Sequence, residues 1–143
     1  MQQGHVSFEH TADLGIEAWS ESLQGLLEEV SLGLCELIAD LSTIQENEAR
    51  SVEADGVDRE ELLVSLSNEV LFYLDAQGFL SKQLTIEALH HDGELWQVKG
   101  KLHGEPYDRS RHVTFTEIKS ATYHDLHINE SPEGFRVKIV FDV

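Results

Sequence analysis

The sequence predicts an α+β fold: one domain over residues 1–143, with mixed or antiparallel β-sheet layers and two amphipathic α-helices packed on one face. Three observations predict it. Residues 23–38 and 62–74 repeat apolar side chains at helical spacing. Much of the remaining chain alternates apolar and polar residues, as strands with one covered face do. Asp92-Gly93 lies between two such alternating runs and is a strong hairpin signal.

In chain order, residues 6–9 read as a short strand, followed by the polar segment His10-Thr11-Ala12-Asp13 and then Gly15. Residues 16–19 read as a second strand able to pair with the first. Ser20 or Ser22 is placed to cap a helix running to about Asp40. Leu23, Leu26, Leu27, Val30, Leu34, Leu37 and Ile38 give that helix one broad apolar face. Gly25 and Gly33 either weaken it or let a neighbour pack closely. Cys35, within it, reads as a buried small side chain. A strand over 50–54 follows a polar turn.

The second helix is expected from Asp58, which forms a capping-box-like pair with Glu61, to Gly78. Leu62, Leu63, Leu66, Val70, Tyr73 and Leu74 form its apolar stripe. Leu84, Ile86 and Ala88, then Trp96, Val98, Gly100 and Leu102, form the two arms of the Asp92-Gly93 hairpin. Gly104-Glu105-Pro106 opens a polar stretch to His112, and a long strand is expected over about 117–129.

After a turn at 131–134, the closing segment 135–143 places Phe135, Val137, Ile139 and Phe141 on one parity and Arg136, Lys138, Val140 and Asp142 on the other. Chain ends fray unless tied down. Here apolar residues continue to Val143, so this end is expected to dock in the sheet. The carboxylates of Asp142 and Val143 then lie close together. Fixed negative charges repel unless a cation or a set of donors offsets them. This is the first pointer to a metal site.

Apolar residues make up 41% and charged residues 26%, ordinary for a soluble domain. A single cysteine, no membrane-length apolar run and no leader-like start give a cytoplasmic expectation. The formal net charge is −17, from 10 basic and 27 acidic residues. Nucleic acid is held largely by Lys and Arg displacing counterions, so direct binding to it is not expected. The charge serves solubility alone, or else cation binding and steering toward a basic partner.

The loop His10 to Asp13 is either a turn closed by its own Thr and Asp or a functional loop on a rigid scaffold. In the expected strand, Lys119, Ala121 and Tyr123 face one side, and Ser120, Thr122 and His124 the other. A lysine there marks an edge or a solvated face. Eight histidines do not amount to a zinc site: H-E-x-x-H is absent, and His124 and His127 point to opposite faces. His90 and His91 flank the hairpin turn as solvated residues. His5, His103, His112 and His127 have no convergent partner in the sequence. No nucleophile elbow, P-loop or dinucleotide fingerprint occurs.

Four blocks in order carry a resemblance: His10-Thr-Ala-Asp13-Leu-Gly15; Gly104-Glu105-Pro106-Tyr107 with Arg111-His112; Ile118-Lys119-Ser-Ala-Thr-Tyr-His124; and Phe141-Asp142-Val143. Together they resemble the archease family over nearly the whole chain. One small departure is Ser120, where that family is expected to have Ala.

The resemblance implies a non-catalytic, cation-binding activator of an RtcB-type RNA ligase. Such a protein promotes guanylylation of the ligase's active-site histidine and multiple turnover in tRNA splicing and RNA repair. It implies a divalent-cation site at Asp13, Asp142 and the Val143 carboxylate, with Lys119, His10 and His124 as further functional candidates. Carboxylate oxygens suit hard cations, Ca²⁺ foremost, with Mg²⁺ or Mn²⁺ as alternatives. Two other readings stand beside it. One is a small metal-dependent hydrolase, for which no nucleophile or positioned base is evident. The other is a general acidic chaperone or interaction module. Neither a membrane nor direct nucleic-acid binding is expected.

Overall fold

The computed structural model describes residues 2–10 and 13–143, and at His10 the main chain only. The elements run β1 (Gly4–His10), β2 (Asp13–Ser20), α1 (Leu23–Ile38), a 3₁₀ turn (Leu41–Thr43), β3 (Glu48–Gly56), α2 (Arg59–Gln77), β4 (Phe79–His91), β5 (Trp96–Pro106), β6 (Ser120–Ala121), β7 (Asn129–Ser131) and β8 (Gly134–Asp142). The α+β class predicted from the two helical stretches and the alternating segments is the one observed. Among the described residues the strands divide into two sheets. One has the order β1-β2-β8-β6, with β7 also on β8; the other has the order β3-β5-β4. Every strand pair among the described residues is antiparallel.

The helix limits follow from local chemistry. Ser22 caps α1, its hydroxyl accepting the Gly25 amide at 2.9 Å. Asp58 caps α2 by accepting the Glu61 amide at 2.8 Å, and the Glu61 carboxylate accepts the Val57 amide at 3.1 Å. Gly78 ends α2 at φ +63°, a left-handed turn that only glycine adopts without strain. Its amide returns to the Leu74 carbonyl at 3.0 Å.

The helices lie against both sheets: α1 packs on β1, β2 and β8 and also on β4, while α2 packs on β3, β4 and β5 and also on β6. One hydrophobic cluster results. It includes Ile16, Leu26, Leu27 and Leu34 with Ile139 and Phe141, and Leu62, Leu63 and Leu66 with Val52 and Leu102. Cys35 lies in this core, where burial pushes its thiol up to about 12.

The long strand expected over 117–129 does not form. Only Ser120–Ala121 and, separately, Asn129–Ser131 pair with β8. Between them the chain turns, Leu126 N–H donating to Tyr123 O at 3.1 Å and Asp125 taking φ +49°. Side chains of α2 substitute for ladder partners. Asn68 Oδ1 accepts the Ala121 amide at 2.8 Å, and Glu60 Oε2 accepts the Ile128 amide at 3.3 Å. The alternating facing expected for Ser120 to His124 is therefore lost beyond Ala121.

The stretch 104–112 also differs from its polar appearance. β5 continues to Pro106 and buries Glu105. Glu105 accepts hydrogen bonds from the Gln45 amide at 2.7 Å, Arg111 Nη2 at 2.6 Å and His112 Nε2 at 2.9 Å. His112 Nδ1 accepts the Asp108 amide at 2.9 Å, so the imidazole proton sits on Nε2. His112, the Gln45 amide and Arg111 hold the Glu105 carboxyl down to about 2, from an ordinary 4.5. This buried cluster ties segment 105–112 to the turn that precedes β3.

Because the folded carboxyl titrates below the unfolded one, its stabilisation is complete above about pH 4.5 and is lost as pH falls toward about 2. Glu105→Gln is expected to lower Tm at neutral pH, with a gap to the unsubstituted protein that narrows steadily below pH ~4.5. Thermal unfolding followed by circular dichroism across pH checks this. A gap that does not change with pH contradicts it.

Candidate cation site at one end of the first sheet

The first sheet brings distant parts of the chain to one edge. β2 pairs with β8 from Ser20–Phe135 to Leu14–Phe141. Asp13 and Asp142 each lie one residue beyond that last pair, at the same end. Facing residues of an antiparallel pair share a side of the sheet, and the pleat reverses sides at each step. Asp13 and Asp142 are therefore both turned away from the side of Leu14 and Phe141. Phe141 is fully buried and pins this end of β8, while Asp142 is exposed.

β6 supplies the other flank. Ser120 pairs with Asp142, and its hydroxyl donates to Asp142 Oδ2 at 3.2 Å. The Lys119 amide donates to the Asp142 carbonyl at 2.8 Å, which sets the Lys119 backbone beside this end, with the residue exposed. On the far flank, the main chain of His10 pairs with Asp13. A cleft of about 360 Å³, lined by Glu9, Asp13, Leu14 and Val143, opens here.

Of the six residues singled out from sequence, five thus have their backbone at this end: His10, Asp13, Lys119, Asp142 and Val143. The His10 side chain, together with Thr11 and Ala12 of the same loop, lies outside the described residues. His124 is carried away from it. Past Ala121 the chain runs back along β8, Thr122 N–H donating to Val140 O at 2.9 Å. His124 Nε2 then sits 3.2 Å from Asp125 Oδ2. Partial burial, and then the charges of Glu61 and Asp58 at the start of α2, push the phenol of its neighbour Tyr123 up.

Glu9 is the cleft residue that sequence reasoning missed. It faces Leu14 across the hairpin, one step from the His10–Asp13 pair, so the β1 register was the signal that could have found it. Among histidines read as lacking a partner, His112 meets Glu105, and His5 Nε2 lies 2.9 Å from Glu36 Oε1.

The oxygen donors here suit a hard cation. Glu9 and Asp13 with Val143 line the cleft, Asp142 adjoins it, and the volume leaves room for water. Among the described residues, no three His, Cys, Asp or Glu side chains converge tightly enough to enclose an ion. The donor set fits an open shell completed by water or by groups from another molecule, not a closed cage. Among the described residues, no helix is long and apolar enough to cross a membrane.

Comparison with known proteins agrees with this architecture. The family model described as the Archease protein family matches residues 6–143. The chain is 34% identical over 135 residues to Protein archease of Methanopyrus kandleri, covering 94% of this chain and 96% of that one. It is 32% identical over 127 residues to Protein archease of Pyrococcus abyssi, covering 89% of each. Among solved structures, protein 1598 of Methanobacterium thermoautotrophicum superposes with TM-score 0.82 at 25% identity, covering 98% of this chain and 99% of that one. An archease from Thermotoga maritima, termed a possible chaperone, superposes with TM-score 0.61 at 24% identity, covering 95% and 94%; that likeness bears on the fold alone.

An exposed carboxylate at a strand end contributes little to folding, whereas its buried neighbour contributes much. Asp142→Ala is expected to cost less than about 1 kcal/mol of stability. Phe141→Ala, one residue earlier and fully buried, is expected to cost roughly 3–5 kcal/mol. Urea unfolding measures both. Comparable losses at the two positions would make Asp142 a structural residue.

Proposed function

The chain belongs to the archease family, and on that premise we propose that it activates an RtcB-type RNA ligase through a divalent cation held at the β2–β8 end of the first sheet. Asp13 and Asp142 are the ligands in this reading, with a main-chain oxygen of Val143, while Glu9, paired with Leu14 and so on the other side of the sheet, borders the cleft. Ca²⁺ is the favoured ion, and Mg²⁺ or Mn²⁺ the alternatives. The observation that carries the proposal is the register of β2 on β8, which sets Asp13 and Asp142 at one end of the sheet.

The role is assistance and not catalysis. The protein promotes guanylylation of the ligase's active-site histidine and its repeated turnover, in tRNA splicing and RNA repair. When bound, the cation supplies positive charge and open coordination positions for oxygen donors of the partner. Asp13 and Asp142 hold it, and Ser120 orients the Asp142 carboxylate. Lys119, exposed beside the cleft, adds a cationic group able to reach a partner carboxylate or phosphate. His10 belongs to the same end of the sheet, and His124 extends the surface further along the chain.

The net charge of −17 favours approach to the basic cleft expected of an RNA-binding ligase. Association with the ligase then slows as salt rises. The RNA is contacted by the ligase and not by this acidic chain.

Multiple-turnover ligation tests the proposal. Asp13→Ala and Asp142→Ala should each fold normally, lower Ca²⁺ binding in calorimetry and reduce stimulation at least about tenfold, the equivalent of ~1.4 kcal/mol. Full stimulation by both folded variants would remove the proposed site.

A further inference from the structure

A pocket of about 350 Å³ lies where the C-terminal ends of α1 and α2 meet the segment leading to β6. Buried Ile38 and half-buried Leu74 line it together with Tyr107 and Phe115, and Asp75 and Glu117 add carboxylates. Phe115 is 62% exposed and Tyr107 41%. Scattered exposed apolar residues are ordinary, but two aromatic rings at one apolar pocket form a contiguous patch.

The segment that presents these rings is held in place. Phe115 N–H donates to Ile38 O at 2.8 Å, and Asp40 N–H to Val113 O at 2.8 Å. Tyr107 N–H donates to Gly78 O at 2.7 Å, and its ring lies 5.9 Å from that of His112. His112 in turn belongs to the buried Glu105 cluster. The aromatic surface is thus preorganised, so binding to it need not order a loop first.

Charge identifies the occupant. Neither helix has a basic residue in its last turn, so no cationic side chain of its own offsets the partial negative charge of either C-terminus. Asp75 and Glu117 add to it. A second copy of a chain with net charge −17 is a poor partner for such a pocket.

We propose that this pocket docks a polypeptide partner through one apolar side chain flanked by lysine or arginine. The proposal goes beyond the cation site and does not rest on it. The aromatic walls bury the apolar group, while Asp75, Glu117 and the helix ends select the flanking cations.

The test uses ¹⁵N-labelled protein titrated with three peptides in cation-free buffer, so the ligase and the cation play no part in the result. Acetyl-Arg-Lys-Phe-Lys-Arg-amide should shift the amides of Leu74, Phe115 and Glu117. The peptide with Ser in place of Phe, and the peptide with Glu in place of the basic residues, should each bind at least about tenfold more weakly. Phe115→Ser, at an exposed position, should abolish the shifts and leave Tm unchanged. Equal binding of the Ser and Phe peptides would reduce the effect to general attraction by an acidic surface and overturn the proposal. Shifts centred elsewhere, or none, would overturn it too. A wild-type dimer in sedimentation that Phe115→Ser dissociates would overturn it in favour of a second copy.

Discussion

The antiparallel register of β2 on β8 is the constraint on which the rest of the structure depends. Buried Ile16 pairs with buried Ile139, and Ala18 with Val137, so both strands present one apolar side to the core. A slip of one residue would turn every one of these side chains to the wrong face. The core therefore fixes the register, and the register fixes what lies at the strand ends. Two acids separated by nearly the whole sequence come to the same end of the sheet because the residues between them must bury in phase.

The chain treats its acids in two ways. Glu105 is taken inside and given His112, Arg111 and the Gln45 amide, and its charge is used up in holding 105–112 against the start of β3. An acid satisfied so fully has nothing left to offer an ion. Glu9, Asp13 and Asp142 stand instead at a cleft or an exposed strand end, where a carboxylate stays hydrated at little cost to folding. The same division applies to apolar groups. Phe141 is spent on the core, whereas Phe115 is held out at the surface by a segment with firm backbone bonds.

Much of this was legible in the sequence. Helical spacing and caps at Ser22, Asp58 and Gly78 gave both helices, since those signals are local. Alternation gave the first hairpin, the β4–β5 hairpin around Asp92-Gly93 and the closing strand. Division into two sheets was not legible, because nothing local in a strand states which neighbour it will choose. The strand expected over 117–129 failed for a related reason: Asn68 and Glu60, on a helix about 60 residues earlier in the chain, bind its backbone in place of a ladder. Burial of Glu105 broke the alternation of β5, and only the fold brings Arg111 and His112 back to it. At the site, the family blocks pointed to Asp13, Lys119 and Asp142, and the fold adds Glu9.

The proposed ion lies between the front and the tail of the chain, and Mn²⁺ reports such an ion directly. Substoichiometric Mn²⁺ added to ¹⁵N-labelled protein broadens amides near the ion by paramagnetic relaxation. An ion at this site should cause early loss of signal from Glu9, Leu14, Ser120 and Asp142, reversed by excess Ca²⁺, while Asp92 and Gly93 at the β4–β5 turn stay sharp. Broadening centred elsewhere, as on Asp58 and Glu61, or spread evenly over the acidic surface, would contradict it.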